Sequence, residues 1–112
     1  MPKLNYVEMP VADIARAGAF FRRAFGWNFT DYGPEYAAHE EAPCQLGLNG
    51  STEHGIAAIL PVIETEDLEA THDLVIEAGG TITREIFAFP GGRRFHFREP
   101  GGLELGVYVA EA

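Results

Sequence analysis

The sequence lacks several features on which whole classes of protein depend. It has one cysteine, Cys44, in 112 residues, which excludes an internal disulfide framework and is typical of a reducing cytoplasm. It contains no apolar run near the ~20 residues that a membrane-spanning helix needs. Residues 1–10 also lack the apolar core of a signal peptide. We therefore expect a cytoplasmic protein with no membrane partner.

Positive charge is scarce as well. Lys3 is the only lysine, and 8 basic residues against 17 acidic ones give a net charge of -9. That charge opposes contact with a phosphate backbone, so we expect no nucleic acid partner. The hydrophobic content of 46% is ordinary for one soluble domain of this length.

What the sequence does contain is a pattern of helix cap, apolar helix face and glycine that occurs twice in the same register. Asp13 and Asp67 are both suited to cap a helix. After each of them, apolar residues recur at helical spacing until Gly26 and Gly80. Two copies of one supersecondary unit predict a duplicated module with a binding cleft between its halves.

Each half of the chain is predicted to be a strand, a helix and three further strands. The strands are expected at 4–11, 27–32, 36–39 and 44–48 in the first half, and at 59–65, 81–86, 93–98 and 103–109 in the second. The fold class is therefore α+β, with two tandem βαβββ modules. Residues 1–112 form a single domain, with a first module of about 1–50, a polar linker of about 51–56 and a second module of about 57–112.

Alternation along the strands divides the side chains between two faces of the sheet. One face is apolar and is expected to pack on the helices; it holds Val7, Met9, Phe95, Phe97, Leu103, Leu105 and Val107. The opposite face holds Tyr6, Glu8, Arg94, His96, Glu104, Gly106 and Tyr108. A face with tyrosines, carboxylates, an arginine and a histidine predicts a polar-lined pocket, although simple solvation is the alternative for each residue.

Several motifs point to a known family. The segments VADI at 11–14, FF at 20–21 and FGW at 25–27 are followed by FPGGRRFHFREPGGLEL at 89–105. Together they resemble the vicinal-oxygen-chelate superfamily, which contains glyoxalases, bleomycin-resistance proteins and extradiol dioxygenases. Glu99-Pro100-Gly101-Gly102 stands where that family usually has Asp-Pro-x-Gly-Asn. The resemblance covers essentially the whole chain and implies an incomplete, cup-shaped β-barrel with helices on its outside, but it does not fix a reaction.

The resemblance also implies where a metal would be held. In the metal-dependent members four ligands line the cup, usually His or Glu. Through the internal repeat, these four ligand positions correspond to Tyr6, Gly47, Leu60 and Gly106. Leucine and glycine side chains have no donor atom and a neutral tyrosine is a poor ligand, so we expect no metal cofactor. The alternative is a divalent metal ion displaced along the strands and held by the carboxylates of Glu8 and Glu104 with the imidazole of His96.

Three functions remain open on this basis. The first is metal-free binding of a small, partly aromatic organic molecule, as in bleomycin-resistance proteins. The expected ligand-binding residues are Tyr6, Tyr36, Gln45, Phe87, Arg94 and Tyr108. The second is a lyase or isomerase related to lactoylglutathione lyase, which would move a proton beside a carbonyl, with Glu8, His96 and Glu104 as catalytic residues. The third is a regulatory or interaction module without a ligand of its own.

A homodimer is expected because a sheet built from two modules leaves edges and helix flanks that a second chain can cover. The region of Trp27 is a candidate for that contact. Cys44 is expected to be a small packed residue. The histidines His39, His54 and His72 lack the spacing of metal ligands and are expected at the surface.

Overall fold

The computed structural model describes residues 1–51 and 56–111. Their contacts divide the chain into two compact units. The N-terminal unit is Tyr6–Leu60, and the C-terminal unit combines Met1–Asn5 with Pro61–Ala112. The linker predicted at 51–56 and the predicted surface residue His54 lie mostly or wholly outside the described residues.

Each half contains the five elements that the sequence predicts. The first five are β1 (Lys3–Pro10), α1 (Ile14–Phe25), β2 (Thr30–Asp31), β3 (Tyr36–His39) and β4 (Gln45–Asn49). The second five are β5 (Leu60–Glu64), α2 (Leu68–Glu77), β6 (Thr81–Phe89), β7 (Gly92–Arg98) and β8 (Glu104–Ala110). The α+β class and the two βαβββ modules are therefore confirmed. Neither helix in the described part of the chain combines the length and the apolar character needed to span a membrane.

Both helices begin at the predicted aspartates. The Asp13 carboxylate accepts a hydrogen bond from the Arg16 backbone N–H at 3.0 Å, and Asp67 does the same for Ala70 at 3.0 Å. These bonds satisfy backbone donors that have no partner within the helix. α1 ends at Gly26, whose φ of 73° is left-handed and favours glycine.

In the N-terminal unit the strands are ordered β2-β3-β4-β1. β1 runs parallel to β4, and β3 is antiparallel to both of its neighbours. The register sets Glu8 beside Gly47 and Gly47 beside Ala38. Leu48, on the opposite face of β4, is fully buried, and α1 packs against β3 and β4.

An aromatic cluster joins α1 to β3 and overturns two predictions. Phe21 stacks on Trp27 at a ring distance of 5.6 Å, and Trp27 stacks on His39 at 5.0 Å. Phe29 also contacts the His39 ring, at 5.9 Å. His39 was therefore wrongly expected at the surface: it is 7% exposed because its ring packs like an aromatic core residue. The strand predicted at 27–32 shrinks to Thr30–Asp31, since Trp27 and Phe29 are held by ring contacts.

In the C-terminal unit the strands are ordered β5-β8-β7-β6. α2 packs on one face of this sheet through Leu68, which forms a buried core with Phe95 and Val107. Partly buried residues extend this core: Ile63, Val75, Ile82, Ile86, Phe97 and Val109. The predicted apolar face is thus confirmed for β7 and for Val107 on β8.

Two apolar residues depart from their predicted positions. Leu103 is 73% exposed because it lies before β8, in the turn where its backbone N–H donates to the Glu99 carboxylate at 2.8 Å. Cys44 is exposed instead of packed; it stands just before β4, which begins at Gln45. Neither residue contributes to a core.

Candidate functional site

A polar surface covers the C-terminal unit on the face opposite α2. Side chains there alternate with the core residues along each strand. The strand register forms two rows, the first of Glu64, Tyr108, Arg94 and Phe87 and the second of Val62, Gly106, His96 and Arg84. We call this surface the C-terminal polar face. The predicted assignment of Arg94, His96 and Tyr108 to the face away from the helix is confirmed by this register.

The centre of the C-terminal polar face is a contact between Arg94 and His96. The Arg94 Nη2 and Nε atoms lie 2.9 Å and 3.2 Å from His96 Nε2. A guanidinium can only donate, so His96 Nε2 accepts, which assigns the imidazole proton to Nδ1. The imidazole is 5% exposed. His96 is therefore a buried, neutral ring held against a permanent positive charge.

Glu104 lies on the other side of the imidazole. Its Oε2 atom is 4.0 Å from His96 Nδ1, which is beyond hydrogen-bonding distance. The same oxygen accepts a hydrogen bond from Thr83 Oγ1 at 2.6 Å. Two of the three predicted catalytic residues, His96 and Glu104, are thus brought together. Thr83 was not predicted, because its role becomes visible only when β6 is set beside β7 and β8.

The Phe87 ring forms an aromatic wall, and two arginine side chains lie against it. The His96 ring meets it edge-on, with centroids 5.8 Å apart, and Arg94 Cζ lies 5.7 Å from its centroid. Arg84 Cζ sits only 3.7 Å from the same centroid, which is a close cation–π contact. Arg84 was not predicted to lie here, because β6 has register shifts between Ile82 and Phe87 and its side chains do not alternate regularly.

Tyr108 lies in the same row as Arg94 and is tied to β1 and β5. Its hydroxyl donates to Asn5 Oδ1 at 3.2 Å, and Asn5 Nδ2 donates to Glu64 Oε1 at 2.9 Å. Burial raises the pKa of Tyr108, and the Glu64 charge raises that pKa further, while the hydrogen bond with Asn5 opposes the shift. The neutral phenol is therefore the form that the fold favours.

The N-terminal unit has a separate polar cluster around Glu8. The Glu8 carboxylate is only 2% exposed. It accepts hydrogen bonds from the Tyr36 hydroxyl at 3.2 Å and from Asn49 Nδ2 at 3.3 Å. The Tyr36 hydroxyl is also hydrogen-bonded to the Tyr6 hydroxyl. Asn49 was missed because the predicted strand ended at residue 48, whereas β4 includes Asn49; strand alternation from Gly47 would have found it.

Gly47 explains how this cluster fits together. A Cβ atom on Gly47 would overlap the hydroxyl oxygens of both Tyr6 and Tyr36 and would lie 2.9 Å from Tyr36 Cζ. Van der Waals contact requires a larger separation. The glycine therefore makes the room that the two tyrosines occupy.

The residues at the four family ligand positions do not fit a metal ion. The Tyr6 hydroxyl is hydrogen-bonded to Tyr36, and Leu60 is an apolar side chain, 3% exposed. Gly47 and Gly106 have no side-chain donor. Among residues 1–51 and 56–111, no group of three or more His, Cys, Asp or Glu side chains is placed to hold a metal. Whether the protein carries a metal in solution stays a prediction.

The predicted site residues thus fall into two clusters, each with its own contacts. Tyr6, Glu8 and Tyr36 belong to the N-terminal unit, where Gln45 stands level with Tyr6 on the neighbouring strand. The other cluster belongs to the C-terminal unit and contains Phe87, Arg94, His96, Glu104 and Tyr108. The third predicted catalytic residue, Glu8, is therefore in a different unit from His96 and Glu104.

Comparison with known proteins agrees with the motifs and with the fold. The chain belongs to the Glyoxalase/Bleomycin resistance protein/Dioxygenase superfamily, whose sequence profile matches residues 3–107. A search of curated proteins gives no significant match.

Solved structures share the fold at low sequence identity. Methylmalonyl-CoA epimerase from Mycobacterium tuberculosis has a TM-score of 0.80 and 16% identity, over 98% of this chain and 89% of that one. Methylmalonyl-CoA epimerase from Streptomyces coelicolor, in complex with 2-nitronate-propionyl-CoA, has a TM-score of 0.78 and 12% identity over 98% of both chains. A superfamily member from Vibrio splendidus 12B01 has a TM-score of 0.72 and 16% identity over 97% of both chains. These identities establish a shared fold and no more.

Proposed function

We propose that this protein binds a small, partly aromatic organic anion on the C-terminal polar face, without the metal site of its metal-dependent relatives. The observation that carries the proposal is the contact between Arg94 and the buried His96 ring, at 2.9 Å. Buried polar groups that do not stabilise a core are typical of binding sites. The cytoplasmic location expected from the sequence is part of the same proposal.

The chemistry of the C-terminal polar face favours an anion with a ring. Arg94 and Arg84 bring two guanidinium groups to one aromatic wall, Phe87, in a chain whose net charge is -9. A guanidinium holds a carboxylate through charge-assisted hydrogen bonds. An aromatic ring on the ligand would pack against Phe87 or Tyr108. Glu64 and Glu104 at the borders of the face disfavour a second negative group on the ligand.

A thermal-shift comparison tests this proposal. We expect benzoate and hydroxybenzoates to raise the melting temperature of the protein in buffer containing EDTA, and the uncharged benzamides to have little effect. Arg94→Met should abolish the benzoate shift because it removes the charge and keeps a similar length. Arg98→Met, at the exposed end of the same strand, is the matched control and should retain it. An equal shift with benzamide, or in the Arg94→Met variant, would contradict the proposal.

The metal-free part of the proposal has its own measurement. Elemental analysis of untagged, purified protein should find far less than one Zn²⁺, Ni²⁺, Mn²⁺ or Fe²⁺ per chain, because Gly47, Leu60 and Gly106 supply no ligand atoms. About one metal per chain, lost in Glu104→Gln, would instead establish the displaced divalent site.

The second candidate function is a glyoxalase-related lyase or isomerase, and the Glu8 cluster favours it. A carboxylate that is 2% exposed and held by Tyr36 is suited to acid–base catalysis. Structural neighbours include two methylmalonyl-CoA epimerases.

Deuterium exchange tests the enzyme candidate. Methylmalonyl-CoA and the hemithioacetal of methylglyoxal and glutathione, incubated with the protein in D₂O, should exchange the hydrogen beside their carbonyl if this function holds. Glu8→Gln should stop the exchange, and the exposed control Glu35→Gln should leave it unchanged. No exchange with any probe, together with benzoate binding, would favour the binding function. The absence of both would leave a regulatory or interaction module without a ligand.

A further inference from the structure

The side chain of Arg84 packs on the ring of Phe87. The Arg84 Cζ atom lies 3.7 Å from the centroid of that ring, which is a contact distance for a flat guanidinium resting on an aromatic face. Arg84 is partly buried. Within residues 1–51 and 56–111, its guanidinium forms neither a hydrogen bond nor an ion pair, so the contact with the ring is what holds it there.

An irregularity in β6 brings Arg84 and Phe87 to the same face of the sheet. Residues three apart in a regular strand point to opposite faces. Here Arg84 is level with His96 and Phe87 is level with Arg94, although His96 and Arg94 are only two residues apart on β7. The extra residue in β6 acts as a β-bulge, a feature that redirects side chains beside functional sites. The shape of the strand therefore places the guanidinium on the ring.

The Arg84 guanidinium keeps one face and its charge for another molecule. A planar guanidinium has two faces, and the phenyl ring lies against only one of them. Glu85, the next residue, is hydrogen-bonded to His72, and Glu104 is hydrogen-bonded to Thr83, the residue before Arg84. In the part of the chain that the structure describes, no carboxylate is therefore paired with Arg84.

We infer that the ring of the ligand stacks on the outer face of Arg84, so that the guanidinium lies between the ligand ring and Phe87. The inference rests on the proposed function, in which Arg94 holds the carboxylate of the ligand, and it narrows the ligand class to carboxylates on electron-rich aromatic rings. The face of such a ring carries more negative charge and attracts a cation more strongly. Arg84 is then the residue that selects the ring.

Titration calorimetry with two matched carboxylates tests the inference on the full chain. Benzoate and cyclohexanecarboxylate have the same charge and a similar size, but only benzoate has an aromatic face. The wild type should bind benzoate about 3- to 10-fold more tightly, the range that a cation–π contact supplies. It should also bind 4-methoxybenzoate more tightly than 4-nitrobenzoate, because the nitro group withdraws charge from the face of the ring.

Arg84→Lys is the decisive variant, because it keeps the positive charge and removes the flat surface. It should bind cyclohexanecarboxylate as the wild type does and lose most of the preference for benzoate. Arg98→Met, at the exposed end of β7, is the control and should keep that preference. Circular dichroism and the melting temperature check that both variants are folded.

The outcomes separate this inference from the proposed function. Equal binding of the two carboxylates by the wild type, abolished in Arg94→Met, would overturn the inference alone. A preference for benzoate that survives Arg84→Lys and is lost in Phe87→Leu would also overturn it, because the ligand ring would then stack on Phe87 directly. A wild type that binds neither carboxylate would overturn the proposed function and the inference together.

Discussion

The hydroxyl groups of Tyr6 and Tyr36 are hydrogen-bonded to each other directly over the backbone of Gly47. The same Tyr36 hydroxyl donates to the buried Glu8 carboxylate. The family's ligand position at Gly47 is therefore filled by two phenol groups from neighbouring strands. Gly47 therefore has a structural role as well as lacking a ligand atom, because the tyrosine pair leaves no room for a side chain at this position.

Gly47→Ala should lower the free energy of unfolding by about 1–3 kcal/mol, the usual cost of overpacking. The added methyl group would overlap both tyrosine hydroxyls. Part of the loss should be recovered in a Tyr6→Phe/Tyr36→Phe background, which removes the two oxygens. Gly18→Ala is the control: its Cβ would meet Phe29 at an ordinary 3.8 Å, and in a helix it should stabilise by about 0.5–1 kcal/mol. Urea denaturation measures all of these, and equal effects of the two alanines would refute the steric explanation.

Phe95→Ala should destabilise the protein far more than His96→Ala does. Phe95 is fully buried in the core with Leu68 and Val107, so its truncation should cost about 3–5 kcal/mol through cavity formation. His96→Ala removes the acceptor for Arg94 and should cost about 1–3 kcal/mol, while it abolishes benzoate binding. Urea denaturation and the thermal-shift assay separate the two effects. If His96→Ala were as destabilising as Phe95→Ala, His96 would be a core residue and the proposed site would be wrong.

His72 should add stability at acidic pH and lose it as the pH rises. Partial burial lowers the pKa of His72, but hydrogen bonds with Glu85 and Asp73 outweigh that effect, and the net pKa is raised. The His72 Nε2 atom lies 2.8 Å from Glu85 Oε1. Because the folded state binds the proton more tightly than the unfolded state, the contribution is complete below the unfolded pKa of about 6.5. It disappears as the pH rises through the folded pKa.

Glu85→Gln should lower the pKa of His72 and flatten this part of the pH–stability curve. Proton NMR of the imidazole and urea denaturation across pH 5 to 8 measure the two quantities. The gain should be small because Glu85 and Asp73 are largely exposed. Glu40→Gln, an exposed acid without a histidine contact, serves as the control. An unchanged His72 pKa in Glu85→Gln would contradict the assignment.

Tyr108 should make the protein less stable at strongly alkaline pH. Burial and the Glu64 charge raise the pKa of Tyr108 above its ordinary value. The folded state therefore keeps the phenol proton when the unfolded state has lost it, so stability falls as the pH rises above about 10. Tyr108→Phe should reduce this fall, and Glu64→Gln should lower the pKa of Tyr108. Ultraviolet absorbance of tyrosinate measures the titration, and a Tyr108 that ionises no later than a free tyrosine would oppose the prediction.

Much of the site was accessible from the sequence because strand alternation is a local rule. Alternation placed Arg94 and His96 on the face opposite Phe95 and Phe97, as the structure confirms. It failed for Arg84, since an irregular strand changes which way a side chain points. It also could not show that the Thr83 hydroxyl meets Glu104, because that contact depends on how three strands are set side by side.

The sequence by itself determined the elements and the family. Three signals depend only on residues that are close together in the chain: the helix caps Asp13 and Asp67, the helix-ending Gly26 and the alternation along each strand. They can therefore be recognised from the sequence alone. Only the tertiary structure decided the contacts between strands. In the tertiary structure the His39 ring stacks on Trp27, and the hydroxyls of Tyr6 and Tyr36 lie over Gly47. Strand register and ring packing bring these residues together from distant parts of the chain, so no local sequence pattern predicts their contacts.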